Sequence, residues 1–241
     1  MDKRIAVVTG ANKGVGRAIA ELLAAAGSTV YLGARDAVRG QAVVDELVAS
    51  GSDVRLLELD VTDDAGVAAA AAAVAEQVDR VDVLVNNAGA AFGWSTPPSR
   101  EPMAEIKAIY EVNVFGAIRV TQAFLPLLQA APSANVVMVS SITGSLTAGL
   151  DETTPFARIN QLGYNSSKTA LNAVVVAFAK ELRDSGIKVN AVEPGFVGTE
   201  MNEGRGPLTP AEGAAEPVRL ALLGPDGPTG GFFGAGGTRP W

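Results

Sequence analysis

Tyr164 and Lys168 stand four residues apart in the run Tyr164-Asn165-Ser166-Ser167-Lys168. On a helix that spacing puts both on one face. A phenol titrates near ~10 and is a poor proton donor or acceptor at neutral pH, but a neighbouring ammonium favours the phenolate and lowers that value. The pair stands out because the chain has no histidine and no cysteine. Acid–base work near neutral pH then falls to Tyr, Lys or a carboxylate, and disulfides, thiol nucleophiles and zinc–thiolate sites are excluded. Taken alone, the short pattern also describes an aromatic at a helix start beside a solvated lysine. Ser141 follows the apolar run Val136 to Ser140, and a hydroxyl there can donate to a carbonyl oxygen and stabilise an alkoxide. Ser140 is its rival, since alternation along a strand turns one of the two away. Asn113 is polar among apolar neighbours in a long helical pattern, where a surface or kink residue is the alternative.

A second stretch carries a different chemistry. Thr9-Gly10-Ala11-Asn12-Lys13-Gly14-Val15-Gly16 follows the apolar run Ile5 to Val8 and precedes Val15 to Ala26, which is apolar at helical spacing. Strand, glycine turn and helix start together make a phosphate site. Gly10 permits a tight turn. Gly14 and Gly16, without Cβ, let a pyrophosphate approach the backbone and the helix pack closely on the strand. The helix N-terminus offers free N–H groups to the anion. The spacing is GxxxGxG, neither GxGxxG nor a P-loop, and a plain glycine loop is the competing reading of the motif by itself.

The elements that must position these residues follow in order. Strands are expected at Thr29 to Ala34, Val54 to Leu59, Val81 to Val85, Val136 to Ser140 and Ile187 to Val192, with a short last one at Gly231 to Gly234. Helices are expected at Val38 to Ala49, in the Ala-rich run to Val78 after Thr62-Asp63-Asp64, from about Met103 to Leu128 with Pro126 kinking or ending it, at Tyr164 to Leu182 and at Ala214 to Leu223. Residues 90–102, 141–163 and most of 198–213 read as loops, and Gly27 as a helix cap. Strands alternate with helices, with no composition break and no internal repeat. That pattern predicts an α/β fold, with residues 1–241 forming a single Rossmann-type doubly wound domain around a seven-stranded parallel sheet. Ligands of such sheets lie beyond the C-terminal strand ends, where the glycine loop, Arg35, Asp60, Asn86, Ser140-Ser141 and Pro194-Gly195 fall.

The 241 residues are 48% hydrophobic but only 5% aromatic, enough for one large core of Ala, Val and Leu. A net charge of −7 argues against nucleic acid or an anionic membrane as partner. No signal-peptide pattern precedes the first strand and no run reads as a membrane span, so the expected compartment is cytoplasmic. No metal site is expected.

Taken jointly and in this order, the glycine loop, Asp60-Val61, Asn86-Asn87-Ala88-Gly89, Asn113, Ser141, Tyr164 to Lys168 and Pro194-Gly195 resemble the short-chain dehydrogenase/reductase family over nearly the whole chain. The nearest look is to its NADPH-dependent carbonyl reductases, through Gly10-Ala11-Asn12-Lys13-Gly14, Ala34-Arg35-Asp36 with Arg39-Gly40-Gln41, Glu216-Pro217-Val218 to Leu223, and Trp241. The resemblance implies a tetrad. Tyr164 would give a proton to a carbonyl oxygen as hydride arrives from nicotinamide, and Ser141 would hold that oxygen. Lys168 would bind the nicotinamide ribose and lower the Tyr164 pKa, and Asn113 would hold a water. Gly10, Asn12, Lys13, Gly14, Val15 and Gly16 would bind the cofactor with Asp60 and Val61 at the adenine. Asn87, Ala88 and Gly89 would line it, and Pro194, Gly195, Val197 and Thr199 would lie at the nicotinamide. The implied cofactor is NADP(H) and the implied partner a small-molecule carbonyl or alcohol, in a homo-oligomer (dimer or tetramer) or a monomer.

Cofactor choice turns on the end of the second strand. Relatives that use NAD place an acid there for the ribose hydroxyls, whereas here Ala34 precedes Arg35. Arg35 can grip a 2′-phosphate, and Lys13 adds a second cation. Asp36, two residues on, would instead favour NAD. Two departures bear on the substrate: the segment between Ser141 and Tyr164 is longer than in most of the family but shorter than in the monomeric animal carbonyl reductases, and the lid stretch 198–213 is short and rich in Gly and Pro. A redox-sensing regulator and an NAD-dependent alcohol dehydrogenase are the competing functions.

Overall fold

The apolar runs become strands of one sheet. In a computed structural model, which describes residues 3–92 and 96–241, the chain runs β1 (Ile5–Val8), α1 (Gly14–Ala25), β2 (Thr29–Ala34), α2 (Ala37–Ala49), β3 (Val54–Glu58), α3 (Asp64–Ala75) and β4 (Val83–Asn86). It continues through α4 (Met103–Tyr110), α5 (Ala117–Gln129), β5 (Asn135–Val139), α6 (Leu146–Leu150), α7 (Leu162–Glu181), β6 (Lys188–Val192), α8 (Pro210–Ala221), β7 (Phe232–Gly234) and β8 (Gly237–Thr238). Residues 93–95 of the expected loop 90–102 lie outside the described residues.

The sheet order is β3-β2-β1-β4-β5-β6-β7-β8. Neighbours are parallel through β7, so the direction of winding reverses between β1 and β4. Crossover helices cover both faces, which is why β2 is buried at all six positions and reads as a continuous apolar run. Alternation sorts the β1 side chains: Val7 faces the layer of α3, α5 and α7, while Ala6 and Val8 face α1, α2 and α8. The sheet therefore separates two apolar cores, and the loops at its C-terminal edge are left to make a site.

The sheet has eight strands rather than seven, because β8 folds back antiparallel on β7 through a two-residue turn. That turn is Ala235-Gly236, with Gly236 at φ +87°, and Gly237 opens β8 at φ +126°, so the tail continues as a hairpin. The expected long helix 103–128 is interrupted by a π-helical segment, Glu111–Gly116. Pro126 does not end α5, which continues to Gln129. The expected loop 141–163 contains α6 and two short 3₁₀ turns, Ile142–Gly144 and Pro155–Arg158. Helix α8 starts four residues before the expected Ala214, since Thr209 and Glu212 form a reciprocal capping box with Pro210 in the first turn.

Candidate active site

The glycine loop leaves β1 and is tied to the next strand across the switch point. Thr9 N–H donates to the Val85 carbonyl at 3.0 Å, and Thr9 Oγ1 accepts from the amides of Asn87 (3.0 Å) and Ala88 (2.9 Å). Asn87 Nδ2 donates back to the carbonyls of Thr9 (2.9 Å) and Gly10 (3.1 Å). The Asn87 side chain is thus used to shape the turn. Gly10 has φ +61°, and a Cβ on it would lie 2.9 Å from Ala88 Cα. A Cβ on Gly16 would strike Asn87 Nδ2 and the Gly10 carbonyl, at 2.3 and 2.4 Å. Gly16 therefore serves helix–strand packing, while Gly14 (φ +56°) faces outward, with Thr199 Cγ2 the nearest atom to a Cβ there. No side chain caps the start of α1 and its first turn carries no acid. Its leading N–H groups are left for an anion. Asn12 and Val15 sit half-buried in this turn.

At the end of β2 the two rival readings separate. Asp36 is the N-cap of α2: its Oδ1 accepts from the Arg39 amide at 3.0 Å and its Oδ2 lies 3.3 Å from Arg39 Nε. Its carboxylate is occupied by its own helix. Arg35 is exposed and, among the described residues, makes no ion pair or side-chain hydrogen bond. Lys13, the expected second cation, reaches Glu200 Oε2 at 2.6 Å in the stretch 198–213, which holds the Glu200 carboxylate below its usual range. Arg39, which sequence reasoning did not assign to the site, also lies near enough to Glu200 to favour its charged form. Asp60 spends Oδ1 on the amide and hydroxyl of Thr62, at 2.9 and 2.7 Å, and Val61 is buried against Gly116.

The tetrad candidates converge from three elements: α7, the end of β5 and the π-helical segment. Tyr164 and Lys168 share one face of the first turns of α7, with the Lys168 ammonium 5.7 Å from the Tyr164 ring centroid. Lys168 is buried, and its Nζ donates to the Val139 carbonyl at 2.8 Å. Loss of water lowers its pKa to about 8. Burial raises the Tyr164 pKa, and a hydrogen bond with Ser141 opposes that rise. Tyr164 keeps part of its surface exposed, so the hydroxyl is the deep end of a half-buried ring. The Ser140–Ser141 question is settled by alternation: Ser140 Oγ turns away to Asn172 Oδ1 at 2.6 Å, while Ser141 faces Tyr164 and is braced by Thr143.

Asn113 sits in the π-helical segment and is almost fully buried. Its Nδ2 donates to the Ala90 carbonyl (2.9 Å) and to Ser167 Oγ (3.0 Å), and its Oδ1 accepts from the Ala90 amide (2.7 Å). Both amide donors are used, so a water held by Asn113 would take the remaining lone pair of Oδ1 or the backbone carbonyl. A Cβ on Gly89 would lie 3.6 Å from Asn113 Oδ1 and 3.8 Å from Met201 Cε, so Gly89 lies between the tetrad and the lid.

Two further residues support the site without having been singled out. Buried Glu101 accepts the Gly163 N–H with both carboxylate oxygens, at 3.0 and 3.1 Å, and so caps the helix that carries Tyr164. Nothing local in Glu101-Pro102 announces a partner sixty residues away. Glu193 accepts the Gly195 N–H at 2.9 Å and fixes the Pro194–Gly195 turn, where Gly195 has φ +81°. Beyond it Val197 is buried and Thr199 starts a capping box with Asn202.

A doubly wound parallel sheet with a glycine turn at its switch point and a Tyr–Lys–Ser–Asn cluster at the same edge defines a nucleotide-binding α/β protein of the oxidoreductase type. The short chain dehydrogenase family matches residues 4–207, and the chain belongs to it. It is 34% identical to salutaridine reductase of Papaver bracteatum over 95% of this chain and 94% of that protein. That alignment extends over 294 positions, more than the 241 residues present here, so it places gaps in this chain. It is also 34% identical to carbonyl reductase [NADPH] 1 of Sus scrofa, over 95% and 91% of the two chains. The solved structure of an NADPH-bound carbonyl reductase from chicken fatty liver superposes with a TM-score of 0.86 at 28% identity, covering 100% of both chains. Among the described residues no helix is long and apolar enough to cross a membrane.

Proposed function

We propose that this protein is an NADPH-dependent reductase that converts a ketone or aldehyde carbonyl to an alcohol, with Tyr164 as proton donor. The observation that carries the reading is one mouth shared by the uncapped start of α1, the unpaired Arg35, and a Tyr164 hydroxyl bonded to Ser141 beside a buried Lys168. The likeness to carbonyl reductase [NADPH] 1 and to an NADPH-bound carbonyl reductase supports it.

Bound in this mouth, NADPH would supply the hydride that adds to the carbonyl carbon. The residues that would hold it are the Gly10 to Gly16 turn with Asn12, Lys13 and Val15 at the phosphates, Arg35 at the 2′-phosphate, and Asp60 and Val61 at the adenine. Asn87, Ala88 and Gly89 would line its path, with Lys168, Pro194, Gly195, Val197 and Thr199 at the nicotinamide end. Tyr164, a phenol protonated at neutral pH at its ordinary value near ~10, gives its proton to the carbonyl oxygen. Ser141 Oγ holds the same oxygen and stabilises the charge that builds there. Lys168, mostly charged below about pH 8, steadies the phenolate that remains, and a water at Asn113 returns the proton.

The free Arg35 and the self-engaged Asp36 favour NADPH over NADH. An intact tetrad argues against a sensor without turnover, because a sensor needs no proton donor. On this reading the chain is one domain from 1 to 241, cytoplasmic. It pairs with copies of itself through α7, whose Ala173 and Ala177 are exposed and whose Ala170 and Val174 are half-buried. The test is oxidation of NADPH and of NADH by wild-type protein with a panel of activated ketones and aldehydes. Turnover with NADPH in preference is expected; no turnover with any carbonyl would refute the reading.

A further inference from the structure

The C-terminal tail reaches two walls of the site at once. Arg239 Nε donates to Glu193 Oε1 at 2.9 Å, and the other oxygen of the same buried carboxylate takes the Gly195 N–H. Arg239 is itself fixed: its Nη2 donates to the Ala235 carbonyl at 2.6 Å and its amide to the Phe232 carbonyl at 2.8 Å. The β7 position opposite is a glycine for a steric reason, since a Cβ on Gly234 would lie 2.2 Å from Glu193 Oε1. Two residues on, the Trp241 ring stacks on Phe232 with centroids 5.5 Å apart, and its carbonyl accepts from the Thr147 amide of α6 at 3.2 Å. The last three residues thus bridge the Pro194–Gly195 turn to the segment that follows Ser141.

We propose that Glu193 and Arg239 are positioning residues, and that the tail from Arg239 to Trp241 is a strap that sets the Pro194–Gly195 turn against the rest of the site. A surface ion pair would contribute little. This one is different because its carboxylate is buried and because the backbone it holds is a left-handed glycine turn, one hydrogen bond away. Arg239 acts through Glu193, and Glu193 acts through Gly195; neither touches the reacting atoms. The inference rests on the reading of that turn as a cofactor wall, but its first test needs no cofactor.

Hydrogen exchange is measured over residues 193–202 in wild type, Arg239→Lys and the double variant Glu193→Leu/Arg239→Met, alongside Tm. The double variant removes both charges, so no buried carboxylate is stranded and Tm stays near wild type. Its Gly195 amide has lost its acceptor and exchanges about threefold to tenfold faster, the range set by one ordinary hydrogen bond. Arg239→Lys keeps the charge but cannot serve both Glu193 and Ala235, and should fall between. NADPH titrated by fluorescence binds the double variant more weakly by a similar factor, with kcat reduced further as the wall shifts. Wild-type exchange at 193–202 in both variants would overturn the strap, whatever NADPH does. Unaltered exchange in wild-type protein saturated with NADPH would instead count against the cofactor reading and leave the strap standing.

Discussion

The two halves of this site are built by different means. On the β1–β2 side the geometry is made of backbone: positive φ at Gly10 and Gly14, an uncapped helix start, and amides gathered on Thr9 Oγ1. On the β5–α7 side it is made of side chains brought from far apart. Asn113 meets Ser167 across 54 residues, Glu101 meets Gly163 across 62, and Glu193 meets Arg239 across 46. The first kind of site rests on the local conformation of the glycine turn, although Thr9 ties it to amides 78 and 79 residues away, and it suits a chemically constant ligand, a phosphate. The second has polar and titratable groups under a short lid, where burial tunes each group. Binding and chemistry should therefore be separable by mutation.

After the proton donor itself, the largest effect that would sharpen this contrast is at Ser141. Ser141→Ala removes the donor to the developing oxyanion and should lower kcat by on the order of 10² to 10³ with NADPH affinity unchanged. Steady-state kinetics beside a fluorescence titration reads both, and an equal loss in binding would erase the division between the halves.

Lys168 gives a pH test with a definite sign. Its folded pKa, about 8, lies below its ordinary 10.5. Between those values the unfolded chain holds a proton that the folded one has lost, so this group makes stability rise with pH there. Below about pH 8 the penalty for burying the charge is fully present. Lys168→Met removes that penalty and also the bond to Val139. The variant should be more stable than wild type at pH 7 and lose that advantage toward pH 10.5, a relative change of about 3 kcal/mol. Denaturant melts across that window check it, and a constant difference would mean that Lys168 is not the group titrating.

On the backbone side, Arg35→Ala should weaken NADPH by roughly 10- to 150-fold and leave NADH nearly unchanged, the loss of one charge-assisted contact. Equal weakening of both would mean that Arg35 does not read the 2′-phosphate. The smallest effect belongs to the loop glycines. Gly14→Ala keeps its space but pays for a left-handed backbone, about 1–2 kcal/mol of stability. Gly10→Ala should cost more, because its Cβ would also press on Ala88. Equal melting temperatures for the two would show that contact, unlike φ, does not matter in this turn.

The same contrast explains what was legible in the chain. Every strand of the parallel sheet and the glycine loop could be read, because period, apolar runs and glycine spacing are local signals. Tyr164, Lys168 and Ser141 could be read as candidates by their types and by the lack of histidine. The π segment could not, since Glu111 to Gly116 has the pattern of an ordinary amphipathic helix; only the tertiary pull of Ala90 and Ser167 on Asn113 distinguishes it. Nor could α6, where Ser145 caps a five-residue helix inside a stretch whose Gly and Thr content reads as loop. The ion pair of Lys13 with Glu200 could not be read either, because its partners lie 187 residues apart and long-range ion pairs leave no mark in local sequence. Strand β8 is only two residues long and both are exposed, so no apolar alternation announces it.

The measurement closest to the central claim is made on Tyr164→Phe. The phenyl ring keeps its packing and its place under the Lys168 ammonium but has no proton to give. NADPH should bind this variant with wild-type affinity by fluorescence titration, while single-turnover reduction of an activated ketone falls by roughly 10² to 10⁴, the worth of a general acid. Turnover close to wild type in Tyr164→Phe would contradict the account.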